Sequence, residues 1–131
     1  MNINDFDSWE PINQIPYDEL YFSGIKDLLG KVVLHLKVLG NENKMLEIKF
    51  DGVQAYRVVQ EYGRLKSLNE NPSMRKFRTS VNSDFLKWFE EESLGQFRES
   101  NLVHYMVSNI DNIIDVIARQ PVSIEWVPCG D

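Results

Sequence analysis

Apolar and polar residues alternate along much of the chain, and the alternation marks strands. Leu46, Ile48 and Phe50 take turns with Glu47 and Lys49, the two-residue period of a strand with one buried face. Asp51-Gly52 interrupts, and Val53 to Val59 resumes with strand-favouring residues. Two readings of the interruption fit. One is a two-residue hairpin turn, where glycine takes positive φ without steric cost; the other is a bulge in one long bent strand. Leu46–Gln60 therefore reads as the centre of a sheet. Upstream, Val32, Leu34, Leu36 and Val38 form one face of a Lys31–Leu39 strand, and Lys31, Val33, His35 and Lys37 form the other. Gly40-Asn41-Glu42-Asn43 is the turn of a hairpin that joins this strand to the central segment. Glu19–Ile25 is a shorter strand, with Ser23-Gly24 marking a bulge or bend.

Residues 1–16 show little periodicity and read as an irregular arm, pinned by Trp9 and Ile15. Tyr62–Asn71 reads as a loop with at most one short helix, because Gly63 weakens a helix and Pro72 ends it. Arg75–Val81 is a strand of basic cast. Ser83–Ser93 is the principal helix: Asn82, Ser83 and Asp84 supply capping oxygens, and Gly95 supplies a C-terminal cap. Phe85, Trp88 and Phe89 stand at i, i+3 and i+4 and predict one apolar stripe against the sheet. Leu102–Ser108 is a strand with Val103, Tyr105 and Val107 inward and His104 and Met106 opposite. Ile110–Ala118 fits helical spacing but is rich in β-branched residues; a strand that returns as a hairpin is the reading taken. Val122–Val127 is the last strand. The expectation is an α+β domain, a mainly antiparallel sheet of about six or seven strands with one principal helix packed on it.

A chain of 131 residues with 43% hydrophobic content builds one domain with a proper core. No apolar run approaches the roughly 18 residues of a membrane helix, so no membrane association is expected. The acidic start predicts no secretory signal, and Cys129, as the single cysteine, allows no internal disulfide, which points to the cytoplasm. Net charge is unevenly spread: −4 over residues 1–43, +4 over 44–78 and −6 over 79–131. An acidic balance argues against nucleic acid, and Arg75, Lys76 and Arg78 around Phe77 are too few to form a binding patch. The acidic ends suit a basic protein partner.

Chemistry is sparse. No Gly-rich phosphate loop, no His pair at i, i+4 and no CxxC occurs, so no metal and no cofactor is expected. Cys129 lies next to the chain end, where a catalytic geometry is hard to hold. His35 reads as a surface histidine beside lysines, and Arg57 as the partner of a carboxylate across the sheet. His104-Tyr105 with Asp111 or Asp115 is the most enzyme-like cluster, although a hydrogen-bonded structural histidine explains it with fewer assumptions.

A further set of phrases carries a resemblance: Glu47-Ile-Lys-Phe-Asp-Gly-Val53, Ala55-Tyr56-Arg57 with Glu61, Phe85-Leu-Lys-Trp88-Phe-Glu-Glu-Glu-Ser93, His104-Tyr105, Ile114-Asp115-Val116-Ile117 and Pro121. Together they resemble small cytoplasmic proteins of Bacillus-type bacteria, some of which look like immunity proteins of polymorphic toxin systems. The resemblance implies a non-catalytic binder that neutralises a cognate toxin by covering its active surface. If so, Glu90, Glu91, Glu92, Asp111 and Asp115 are the residues expected to meet a basic toxin domain. The alternative is a small-ligand pocket between helix and sheet, lined by Tyr56, Trp88, His104 and Tyr105. A third reading is an enzyme that uses His104.

Overall fold

The alternating segments become strands in a computed structural model that describes residues 6–60, 76–97, 100–119 and 121–129. The expected loop at 62–71 and Glu61 lie outside the described residues. The chain forms β1 (Asp7–Ser8), β2 (Leu20–Leu28), β3 (Lys31–Val38), β4 (Asn41–Phe50), β5 (Ala55–Gln60), β6 (Arg78–Ser80), a helix α1 (Asp84–Glu92), β7 (Val103–Ser108), β8 (Asn112–Ala118) and β9 (Pro121–Pro128). The mainly antiparallel α+β expectation holds, but nine strands among the described residues replace the six or seven expected, and they divide into two sheets rather than one. Sheet order is β1-β6-β7-β8-β5 in the first and β2-β3-β4-β9 in the second, with every neighbouring pair antiparallel.

The division happens at Asp51-Gly52. This dipeptide is neither a hairpin turn nor a bulge, because β4 and β5 lie in different sheets. Gly52 takes φ 65°, and its N–H donates to Asp51 Oδ1 at 2.9 Å. Just beyond, the Val53 N–H donates to Gly30 O and the Gln54 N–H to Ile117 O, both at 2.9 Å. The crossing is thus tied to the β2–β3 turn of one sheet and to β8 of the other. Two-period alternation reads the same on either side of such a crossing, so the pattern alone sees one strand system.

The remaining connections follow local chemistry. A bulge interrupts β2 between Phe22 and Gly24, at the expected Ser23-Gly24. The β3–β4 hairpin is tighter than the four-residue turn expected: Val38 pairs with Asn41, and β4 starts there. Ile110–Ala118 enters a hairpin as a strand, as its β-branched content favours. Its turn is built by asparagines: Asn109 Oδ1 accepts from the N–H groups of Asp111 and Asn112, and Asn109 Nδ2 donates to Asn112 Oδ1 at 2.7 Å.

The core lies between the sheets. Leu34, Leu36, Leu46 and Ile48 from one sheet and Val107, Ile114, Val116 and Ala118 from the other are fully buried. Aromatic rings close one end: Phe50 and Tyr105 meet across the sheets at 5.2 Å, and Trp9 sits 5.1 Å from Tyr105. Phe77 contacts both Trp9 and Tyr17 from inside the core. It is therefore not available to stack on a nucleic-acid base, and Arg78 beside it is buried. The arm is held by Trp9, whose N–H donates to Phe77 O, and by buried Ile15. No helix among the described residues is long and apolar enough to cross a membrane.

On the outer face of the four-stranded sheet, His35 is not a bare surface residue. It sits opposite Glu47 with Nε2 2.9 Å from Oε2, and Lys49 reaches the other oxygen at 3.3 Å. The histidine hydrogen bond, aided by Lys49, holds the Glu47 carboxyl below its ordinary range despite partial burial. A carboxylate with a depressed folded pKa adds stability above its unfolded value, about 4.3, and loses it as pH falls through the folded value. Glu47→Gln is therefore expected to be less stable than the parent near neutrality, and the gap should close in acid; urea titrations across pH would measure it. Phe50→Ala should cost about 3–5 kcal/mol in the same assay, because the ring joins the two sheets.

Candidate functional site

Strands β7 and β8 are buried on both faces, and that is where charge enters the interior. Their inner residues, Tyr105, Val107, Ile114 and Val116, belong to the core between the sheets. Cross-strand register puts His104, Met106, Ile113, Asp115 and Ile117 on the opposite face, with Arg57 of β5 beside Asp115. That face is covered rather than solvated. Phe6 packs with Met106 and Ile113, and α1 lies over His104.

Beneath α1 runs a chain of polar groups from four elements. Ser83 is the N-cap of α1, and its Oγ accepts the Leu86 N–H at 3.2 Å. The same Oγ stands 2.7 Å from His104 Nδ1. His104 Nε2 stands 2.5 Å from Asp115 Oδ1, and Arg57 Nε donates to Asp115 Oδ2 at 2.8 Å. A ring with its hydrogen on Nε2 satisfies every contact: Ser83 O–H donates to Nδ1, and Nε2–H donates to Asp115. Ser83, His104 and Asp115 are each 0% exposed. The rings of Phe6 and Phe85 meet His104 edge-on, both at 5.3 Å, and the Arg57 guanidinium lies 4.2 Å over Phe85.

Serine, imidazole and carboxylate in hydrogen-bonded sequence is the set that nucleophilic hydrolases use. Here the serine oxygen is also the helix cap and is closed from solvent, so a substrate would meet it only if α1 lifted. Among the described residues, no three His, Cys, Asp or Glu side chains group as metal ligands.

The sequence-derived site residues separate in the structure. Asp115 leaves the acidic surface set, because its carboxylate is inside and paired with His104 and Arg57. Arg57 has the cross-sheet carboxylate expected of it. Asp111 is exposed on the β7–β8 turn, where Oδ2 accepts the Phe22 N–H of the other sheet at 3.0 Å. Glu90, Glu91 and Glu92 remain exposed on the last turn of α1. The four residues of the alternative ligand pocket do not converge: His104 is under α1 and Tyr105 is on the opposite face of its strand. Tyr56 reaches Asp27 at the sheet rim, and Trp88 is 48% exposed.

Trp88 also corrects the expected stripe. Only Phe85 of α1 is buried; Trp88 stacks on it from outside at 5.6 Å with a 10° tilt. The result is an exposed tryptophan on a helix whose other exposed side chains include Lys87, Glu90, Glu91 and Glu92. Val81, Leu86, Phe89, Glu90, Phe97 and Leu102 line a cleft of about 100 Å³ along another side of α1. A shallower depression runs past Lys87, Glu90, Glu91, Leu94 and Gly95. The chain bends sharply there: Leu94 takes φ 52° and Gly95 φ 72°, and the Gly95 N–H caps Glu90 O at 2.8 Å. Sequence reasoning missed Ser83 as a partner of His104, since helix caps and strand histidines carry no shared period.

No family model matches the chain, and neither a curated protein nor a solved structure is found to be similar to it.

Removing Asp115 leaves His104 and Arg57 without this carboxylate. Asp115→Ala should destabilise the fold by about 3–5 kcal/mol. Ser83→Ala, which loses one cap and one hydrogen bond, should cost about 1–2 kcal/mol. Urea denaturation would measure both; values within about 0.5 kcal/mol of the parent would mean that the chain of contacts contributes nothing.

Proposed function

We propose that the protein is a non-catalytic, cytoplasmic protein-binding module that neutralises a basic toxin domain by covering it, and that the outer face of α1 is its binding surface. One observation carries the reading. Val81, Trp88 and Leu94 stand 76%, 48% and 93% exposed beside Glu90, Glu91 and Glu92. Exposed large apolar side chains among charged ones, here three carboxylates and Lys87, are what a docking face presents. Tryptophan is enriched among interface anchors, and three carboxylates on the same helix favour a cationic partner and speed its approach. The −6 charge of residues 79–131 extends that field. The resemblance to toxin-immunity proteins supplies the class of partner. Burial of Asp115 leaves Glu90–Glu92 as the centre of the acidic set, with Asp111 on a separate turn.

The test pairs a tagged pull-down from the native host with a charge reversal. Glu90→Lys, Glu91→Lys and Glu92→Lys together change exposed positions, and a melting curve that stays cooperative shows the variant folded before capture is compared. The parent is expected to capture a stoichiometric protein with a basic toxin-like domain, and the triple variant to lose it. Association should slow with added salt for the parent and become insensitive to salt for the variant. Equal capture by both proteins would remove α1 as the binding face.

A further inference from the structure

The cleft between α1, Phe97 and Leu102 has a size and lining that select its occupant. At about 100 Å³ it is well below the roughly 300 Å³ at which small-molecule sites begin, but it has room for the greater part of one long side chain. Five of its lining residues, Val81, Leu86, Phe89, Phe97 and Leu102, have apolar side chains, yet polar atoms make up about half of the lining surface. Glu90 is the one ionisable group among the described lining residues. Phe89 and Phe97 form a wall of two rings, 5.4 Å apart and tilted by 39°. An aromatic pair, one carboxylate and a lining of mixed polarity together fit a side chain with a methylene stem and a flat cationic head.

We propose that this cleft is the socket for a single arginine side chain of the protein partner, with its stem against Phe89 and Phe97 and its guanidinium on Glu90. The proposal rests on the binding-face reading above and sharpens it to one anchor residue. Arginine is favoured over lysine on physical grounds. Its guanidinium is planar, stacks on aromatic rings, is more weakly hydrated than an ammonium and meets a carboxylate with two parallel N–H donors. Arginine is also enriched at interfaces, where lysine is depleted. Glu90 already takes part in an interaction within the chain. A carboxylate offers about four lone-pair sites, so an incoming guanidinium adds to that interaction rather than needing a vacant partner.

The test needs no partner. Amide ¹H–¹⁵N spectra of the full chain are titrated with N-acetyl-arginine methylamide, with the lysine analogue and with the uncharged norleucine analogue. The arginine compound is expected to give saturable shifts at Leu86, Phe89 and Leu102, with an affinity roughly tenfold above that of norleucine. The lysine compound should fall between the two. Glu90→Gln, at an exposed position, should keep a native spectrum and bring arginine down to the norleucine level. Equal affinity for arginine and norleucine would overturn the proposal by leaving only an apolar hole. Equal affinity for arginine and lysine would overturn it by leaving only general charge attraction, and the absence of saturable shifts would overturn it outright. Failure here is separable from failure of the binding face. A partner released by the triple reversal, together with no arginine preference, removes the socket and keeps the face.

Discussion

The buried contact between Asp115 and His104 is the constraint around which the outer layer of the molecule is arranged. A carboxylate with no solvent exposure is costly unless its lone pairs are met. Each group known to meet Asp115 comes from a different strand: His104 from β7 and Arg57 from β5. His104 in turn needs a donor for its second nitrogen, and Ser83 supplies it from the cap of α1. One buried charge thereby fixes the register of three strands and the position of a helix start. A one-residue slip of β8 would turn Asp115 into the apolar core between the sheets, which makes such a slip unfavourable.

The same arrangement explains why α1 leaves so much apolar surface outside. A helix held mainly by a packed stripe buries several large side chains. This one is held at its first turn by Ser83 and by Phe85, the latter pressed between His104 and the Arg57 guanidinium. Trp88 can then rest on the outside of Phe85, and Phe89 leans toward Phe97 to shape the cleft. A polar anchor at one end of the helix leaves its remaining face exposed. Structure and proposed function meet at that point: fewer apolar contacts inward leave more outward.

Much of the sheet architecture was legible in the sequence because strand alternation is a local property. The faces of β3 and β4, the bulge at Ser23-Gly24 and the asparagine turn before β8 follow from side-chain chemistry within a few residues. The two-sheet division was not legible, since Asp51-Gly52 looks the same whether the chain folds back or crosses to a second layer. Burial of Asp115 was hidden for a related reason. In Ile114-Asp115-Val116 it alternates like any solvent-facing strand residue, and the face it lies on is covered by segments distant in sequence, Phe6 and α1. Arg57 gave the usable signal: a lone cation in an apolar strand calls for a carboxylate, and Asp115 is the residue opposite.

Native-state hydrogen exchange of His104→Gln measures most directly whether the helix hangs on this chain of contacts. In the parent, the amides of α1 should exchange only through openings that are rare compared with those of the chain termini. In the variant, α1 amides from Leu86 onward should exchange faster by a large factor, while those of β3 and β4 keep protection set by global unfolding. Equal acceleration at α1 and at β3 and β4 would mean that His104 supports the fold as a whole and does not latch the helix. Unchanged protection at α1 would mean that apolar contacts alone hold it, and the anchor described here would be wrong.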